Sequence, residues 1–129
     1  MAPEDIRELF AAFGTVTVRR MFGGAGIYAE QTMFGLVHDG VIYLKVDQHN
    51  APAFERENLA PFTYATKDGK RGVMSYRCMP DRLYDDPDEL AVWAREALAA
   101  ARRGAVRKGS SAGKAKKRKS GGGQPSQVG

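Results

Sequence analysis

The chain has 129 residues, one cysteine and a formal net charge of +5. That length fits one domain, the lone Cys78 excludes an intrachain disulfide scaffold, and no apolar run approaches the roughly 18 residues of a membrane span. The charge is uneven: residues 104–129 hold Arg107, Lys108, Lys114, Lys116, Lys117, Arg118 and Lys119 with no acid, and removing their +7 leaves residues 1–103 at −2.

The chain opens into an acidic amphipathic segment instead of a signal peptide, so a soluble, cytoplasmic protein is expected. Pro3 and Glu4-Asp5 suit a first helical turn. Ile6, Leu9, Phe10 and Phe13 follow at i, i+3, i+4 and i+7, and Gly14 can stop the helix. Thr15 to Met21 alternates with β-branched residues and predicts a strand, followed by a second over Ala25 to Ala29. With Glu30-Gln31 as the next turn, Tyr28 joins Met33 on the core face and Gly26 lies opposite Gly35, leaving a dent for a helix.

Asp39-Gly40 between two apolar runs is the strongest hairpin signal in the chain, because both turn positions need positive φ. A two-residue loop there pairs His38 with Val41, Val37 with Ile42, Leu36 with Tyr43 and Gly35 with Leu44. Alternation then assigns Met33, Val37, Ile42, Leu44 and Val46 to the core. The opposite face carries Phe34, Leu36 and Tyr43 beside His38 and Lys45, with Ile27 added by the Glu30-Gln31 turn. Asn50 to Asn58 predicts a short helix, and Phe62–Thr66 with Arg71–Met79 a hairpin around Asp68-Gly69. The last helix has Asp86 as cap, Pro87 at its first position and Glu89 to complete a variant capping box. Its stripe is Leu90, Trp93, Ala94, Ala97, Leu98 and Ala101; Arg102-Arg103 complement the negative end of its dipole, and Gly104 ends it.

This order predicts an α+β fold, an antiparallel sheet with helices packed on one face, over residues 1–103. Residues 104–129, rich in Gly, Ser and Lys, are expected to be a disordered basic tail. The segments Arg19–Gly26, Gly26-Ile27-Tyr28, Met33–Val37 and Asp39–Asp47 resemble the signature of the TfoX N-terminal domain family, the Sxy-type competence regulators. So do Pro61-Phe62-Thr63-Tyr64, Ser75-Tyr76 and Asp85 through Ala94, so that the likeness runs from about Glu4 to Arg103. The resemblance implies a two-layer, secretion-chaperone-like architecture. It also implies a part in controlling DNA-uptake genes through contact with a transcription factor or polymerase. Full-length regulators of the family carry a second, helical domain where this chain has its tail.

No catalytic, metal or cofactor site is expected. His38 borders a turn, His49 lies near a loop, and neither has a second ligand at metal-binding spacing. Cys78 reads as a small packed hydrophobe, and Ser75 lacks a strained elbow. Phe22-Gly-Gly-Ala-Gly26 lacks the Lys-Ser/Thr of a phosphate loop and reads as a tight corner. The acids Asp81, Asp85, Asp86, Asp88 and Glu89 lack the spacing and the glycine of a calcium loop, and helix capping explains half of them. Two surfaces remain. The face of Ile27, Phe34, Leu36 and Tyr43 is either a partner or homodimer interface or is covered by the chain's own second hairpin or middle helix. The tail cations either solubilise the protein or contact nucleic acid without sequence preference, with the folded domain as a dimerising scaffold.

Overall fold

The computed structural model describes residues 1–21, 23–65 and 71–112. Helix α1 (Pro3–Leu9) leads into a meander of β1 (Thr17–Met21), β2 (Gly24–Ala29), β3 (Thr32–His38) and β4 (Val41–Lys45). Helix α2 (Ala51–Arg56) follows, then β5 (Pro61–Ala65), β6 (Arg71–Cys78) and helix α3 (Pro87–Ala112). The six strands form one antiparallel sheet in the order β1-β2-β3-β4-β6-β5. The expected α+β architecture is therefore present. The turn around Asp68-Gly69 lies outside the described residues.

Turn chemistry sets the meander. Glu30 and Gln31 take φ of 50° and 70°, and Asp39 and Gly40 take 53° and 74°, the left-handed pairs that join twisted strands through two residues. The β3–β4 register pairs His38 with Val41, Val37 with Ile42, Leu36 with Tyr43 and Gly35 with Leu44, as alternation required. Between β1 and β2, Met21 pairs with Gly24, where a Cβ would sit 2.0 Å from the Val37 carbonyl oxygen. Only glycine fits so close to the neighbouring backbone.

The β2–β3 register departs from expectation. Ile27 pairs with Gly35 but Tyr28 pairs with Met33, leaving Phe34 as an extra residue in a bulge. Alternation resets across it. Phe34 turns into the helix-side core with Ile27, Val37, Ile42 and Leu44, while Met33 passes to the other face beside Leu36. Gly26 pairs with Leu36, not Gly35, and the dent it leaves is filled by side chains. A Cβ at Gly26 would lie 3.0 Å from both Met21 Sδ and Tyr28 Cε1.

The core fills the space between helices and sheet. Ile6 and Phe10 from the N-terminal segment, Phe54 of α2 and the α3 stripe of Leu90, Ala94, Ala97 and Ala101 are buried against it. Phe34 anchors one end edge-on to Phe10, at 5.7 Å between ring centroids, and Trp93 stacks edge-on to Phe54 at the other, at 4.9 Å. Burying a side chain such as Phe34 is worth roughly 1.5–3 kcal/mol. A 3-10 turn at Asp81–Asp85, unanticipated from sequence, buries Leu83 and brings the Tyr84 hydroxyl to accept the Ile42 N–H at 3.0 Å.

Asp86 caps α3 by accepting the Glu89 N–H at 3.1 Å. The Glu89 carboxylate does not complete a capping box; it binds Arg82 and the Trp93 indole N–H instead. The helix also runs through Gly104 to Ala112, so Gly104 does not end it and the first residues of the expected tail are helical. Arg102 and Arg103 are thus interior to the helix, and both reach out in tertiary ion pairs, to Glu30 and to Asp47. Residues 113–129 lie outside the described part of the chain.

Candidate functional site

With the helices all on one side, the other face of the sheet is a surface in its own right. Cross-strand pairing lines up Arg19, Gly26, Leu36, Tyr43 and Cys78 across it. Phe62 of β5 lies 5.0 Å from the Tyr43 ring on β4 and 5.4 Å from the His38 ring on β3. In a flat sheet β5 would stand about 10 Å from β4 and about 14 Å from β3. The sheet therefore curls until its helix-free face is concave, with Leu36, Phe62 and Tyr76 buried in the hollow and Met33 and Tyr43 half-buried beside them.

Cations sit on the rings of this hollow. The Arg19 guanidinium lies 4.9 Å from the Tyr28 centroid and the Lys45 ammonium 5.2 Å from that of Tyr76, both within cation–π range. Tyr64 stacks on Phe62 with an interplanar angle of 22° and stays 43% exposed. Of the four residues predicted for a partner face, Ile27 and Phe34 are corrected to the core on the far side of the sheet, displaced there by the bulge. Leu36 is covered by the second hairpin, and Tyr43 lines the hollow. Sequence reading missed Arg19, Tyr28, Phe62, Tyr64 and Tyr76 as members of this face. The i, i+2 spacing of Phe62 and Tyr64 was the available signal.

A second polar feature fixes α3 to the sheet. The Asp47 carboxylate, 8% exposed, accepts from Arg103 Nε at 2.6 Å and Nη2 at 3.0 Å, and from the His49 N–H at 2.9 Å. The buried Asn50 side chain accepts the Asp47 N–H at 2.8 Å and donates to the Lys45 carbonyl at 2.9 Å. These contacts, the Arg103 bonds foremost, hold the Asp47 pKa down at about 2. The Asp47-Gln-His-Asn50 segment carries the local signal for such a loop, a carboxylate able to accept from the backbone two residues on.

Residues 8–101 match the family model of the TfoX N-terminal domain. The chain belongs to that family. Over 95 residues it is 26% identical to protein Sxy of Escherichia coli strain K12, an alignment covering 74% of this chain and 45% of Sxy. The chain thus spans less than half the length of that relative. The TfoX N-terminal match takes in every strand, both Asp47 and Asn50, and the buried stripe of α3. All seven cations predicted for nucleic-acid contact lie beyond it, Arg107 and Lys108 on the last turns of α3 and the other five outside the described residues.

Among the described residues of this TfoX N-terminal domain, no three His, Cys, Asp or Glu side chains converge as metal ligands would. The His38 ring packs on Phe62, His49 is exposed in the Asp47 loop, and the two lie at opposite ends of β4. Burial, with the Asp81 charge adding to it, pushes the Cys78 thiol up, away from the thiolate a nucleophile needs. Among the described residues no helix is long and apolar enough to cross a membrane.

Proposed function

We propose that this chain is a cytoplasmic regulatory adaptor that works by macromolecular contact and not by catalysis, in the control of DNA-uptake genes. The match to the TfoX N-terminal domain over residues 8–101 carries this reading, since it spans every strand of the sheet and all of the buried core behind it but Ile6. The similarity to Sxy over 95 residues supports it. The partner expected is a transcription factor or polymerase subunit that meets the folded domain. Deleting the gene in its host and measuring transcripts of the DNA-uptake genes tests the reading. A fall restored by the wild-type gene supports it; unchanged transcripts under conditions that induce uptake refute it.

A second reading is favoured by one observation, the seven cations without an acid between Arg107 and Lys119. In this reading the C-terminal segment contacts nucleic acid through phosphates, without sequence preference, and the domain serves as its scaffold. Exchanging Lys114, Lys116, Lys117, Arg118 and Lys119 for glutamine then removes most duplex affinity and flattens its salt dependence. Unchanged affinity in that variant refutes it.

A further inference from the structure

The hollow on the helix-free face has a chemistry that neither reading uses. Its floor is Leu36, Phe62 and Tyr76, its walls present the rings of Tyr28, Tyr43 and Tyr64, and Arg19 and Lys45 lie on ring faces along it. Among the described residues, most acids lie elsewhere. Glu4 and Asp5 are on α1, Asp86 and Asp88 at the start of α3, and Asp47 is turned to Arg103. Of the carboxylates at the ends of the sheet, Asp39 beside His38 and Asp81 near Cys78 are at the end that carries the β3–β4 turn, and Glu30 on the β2–β3 turn at the other end is paired to Arg102 of α3. From mid-sheet to the opposite end, the described part of the hollow pairs aromatic rings with positive charge, although residues 1–103 sum to −2.

We propose that this concave face binds single-stranded nucleic acid, with bases stacking on Tyr43 and Tyr64 and phosphates held along Arg19 and Lys45. Aromatic rings accept any base by its π-face, and nearby cations track the backbone. A duplex does not satisfy this arrangement, because its bases are already stacked on each other and offer no free face. A second copy of the chain is disfavoured by charge. A two-fold interface lays the same patch against itself and gathers four cations, Arg19 and Lys45 of each copy, into one contact. Binding here differs in kind from tail contact: it depends on rings, and it distinguishes single strands from duplex.

The test uses the full chain and fluorescence anisotropy with a labelled oligothymidine of about 15 nucleotides, within the span one such face covers, against a duplex of the same length. The expected result is tighter binding of the single strand. Tyr43→Leu and Tyr64→Leu, which keep apolar contact with Phe62 but remove a ring, each weaken single-strand binding about 5- to 10-fold and leave duplex binding unchanged. Arg19→Gln weakens it further, and the five-glutamine tail variant lowers duplex binding more than single-strand binding. Photocrosslinking of the wild type to an iodouracil-substituted strand provides a readout independent of the variants' folding, with crosslinks expected in the peptides carrying Tyr43 and Tyr64. Equal affinity for both nucleic acids, insensitivity to both tyrosine exchanges, or crosslinks confined to the basic C-terminal segment overturns the proposal. So does a wild-type homodimer that Tyr64→Leu dissociates, which would make the face an interface between copies.

Discussion

Asp47→Asn should destabilise the domain and remove a distinctive pH dependence. In the native chain the carboxylate is 8% exposed and accepts two hydrogen bonds from Arg103 and one from the His49 backbone. An asparagine keeps one acceptor but turns an amide donor toward the guanidinium, so at least one charge-assisted bond is lost and the other weakened. Bonds of that kind contribute about 1.5–3 kcal/mol, and with the guanidinium partly solvated the expected loss is about 2 kcal/mol. For a domain near 100 residues this lowers the melting temperature by roughly 10 °C. The pH dependence has a definite sign. The carboxyl titrates at about 2 when folded, against an ordinary 3.8. Its contribution is therefore complete above the unfolded value and lost as pH falls from 3.8 through 2. Thermal melts followed by circular dichroism at neutral pH and at several acid pH values check both statements. Arg103→Met should show the same direction, and combining it with Asp47→Asn should add little, since the two remove one interaction. An unchanged melting temperature in Asp47→Asn, or an acid profile that still parallels the wild type, would refute the reasoning.

The remaining expectations are more local. Phe34→Ala should cost roughly 3–5 kcal/mol by emptying a fully buried site, and Met33→Ala, at a half-buried site, clearly less; the order reverses if the bulge is misplaced, and urea titration distinguishes them. Gly24→Ala forces a Cβ against the Val37 carbonyl and should cost roughly 3 kcal/mol in the same assay. Leu36→Asp puts a charge beneath Phe62 and Tyr76, so it should unfold the domain and not merely dissociate an assembly, as circular dichroism beside sedimentation will show. Duplex binding should fall with salt at a slope of about −0.9 per phosphate contact, and show no preference between unrelated sequences.

Features set by local chemistry were legible in the sequence. Asp39-Gly40 turns as its residue types favour, Asp86 caps α3, and the apolar stripe from Leu90 to Ala101 faces the sheet, whereas Glu30-Gln31 adopts the same left-handed pair without the residue types that favour it. What escaped was set by tertiary context. Nothing in Thr32–His38 marks Phe34 as the extra residue; only the pairing with Ile27 and Tyr28 reveals it, and that single insertion exchanged the faces of Met33 and Phe34. Gly104 costs about 1 kcal/mol within a helix, yet α3 continues through it, with Arg102 and Arg103 just before it held in ion pairs to Glu30 and Asp47. The surface was legible only in part. Leu36 and Tyr43 were assigned to the correct face, but the curl that brings Phe62 over them joins strands far apart in the chain.

Capture of the full chain from a lysate of its host, with and without nuclease, tests the central claim most directly. An adaptor retains a stoichiometric protein partner, from the transcription apparatus, after nuclease treatment. Loss of every protein partner on nuclease treatment would contradict it and place the function in nucleic-acid binding alone.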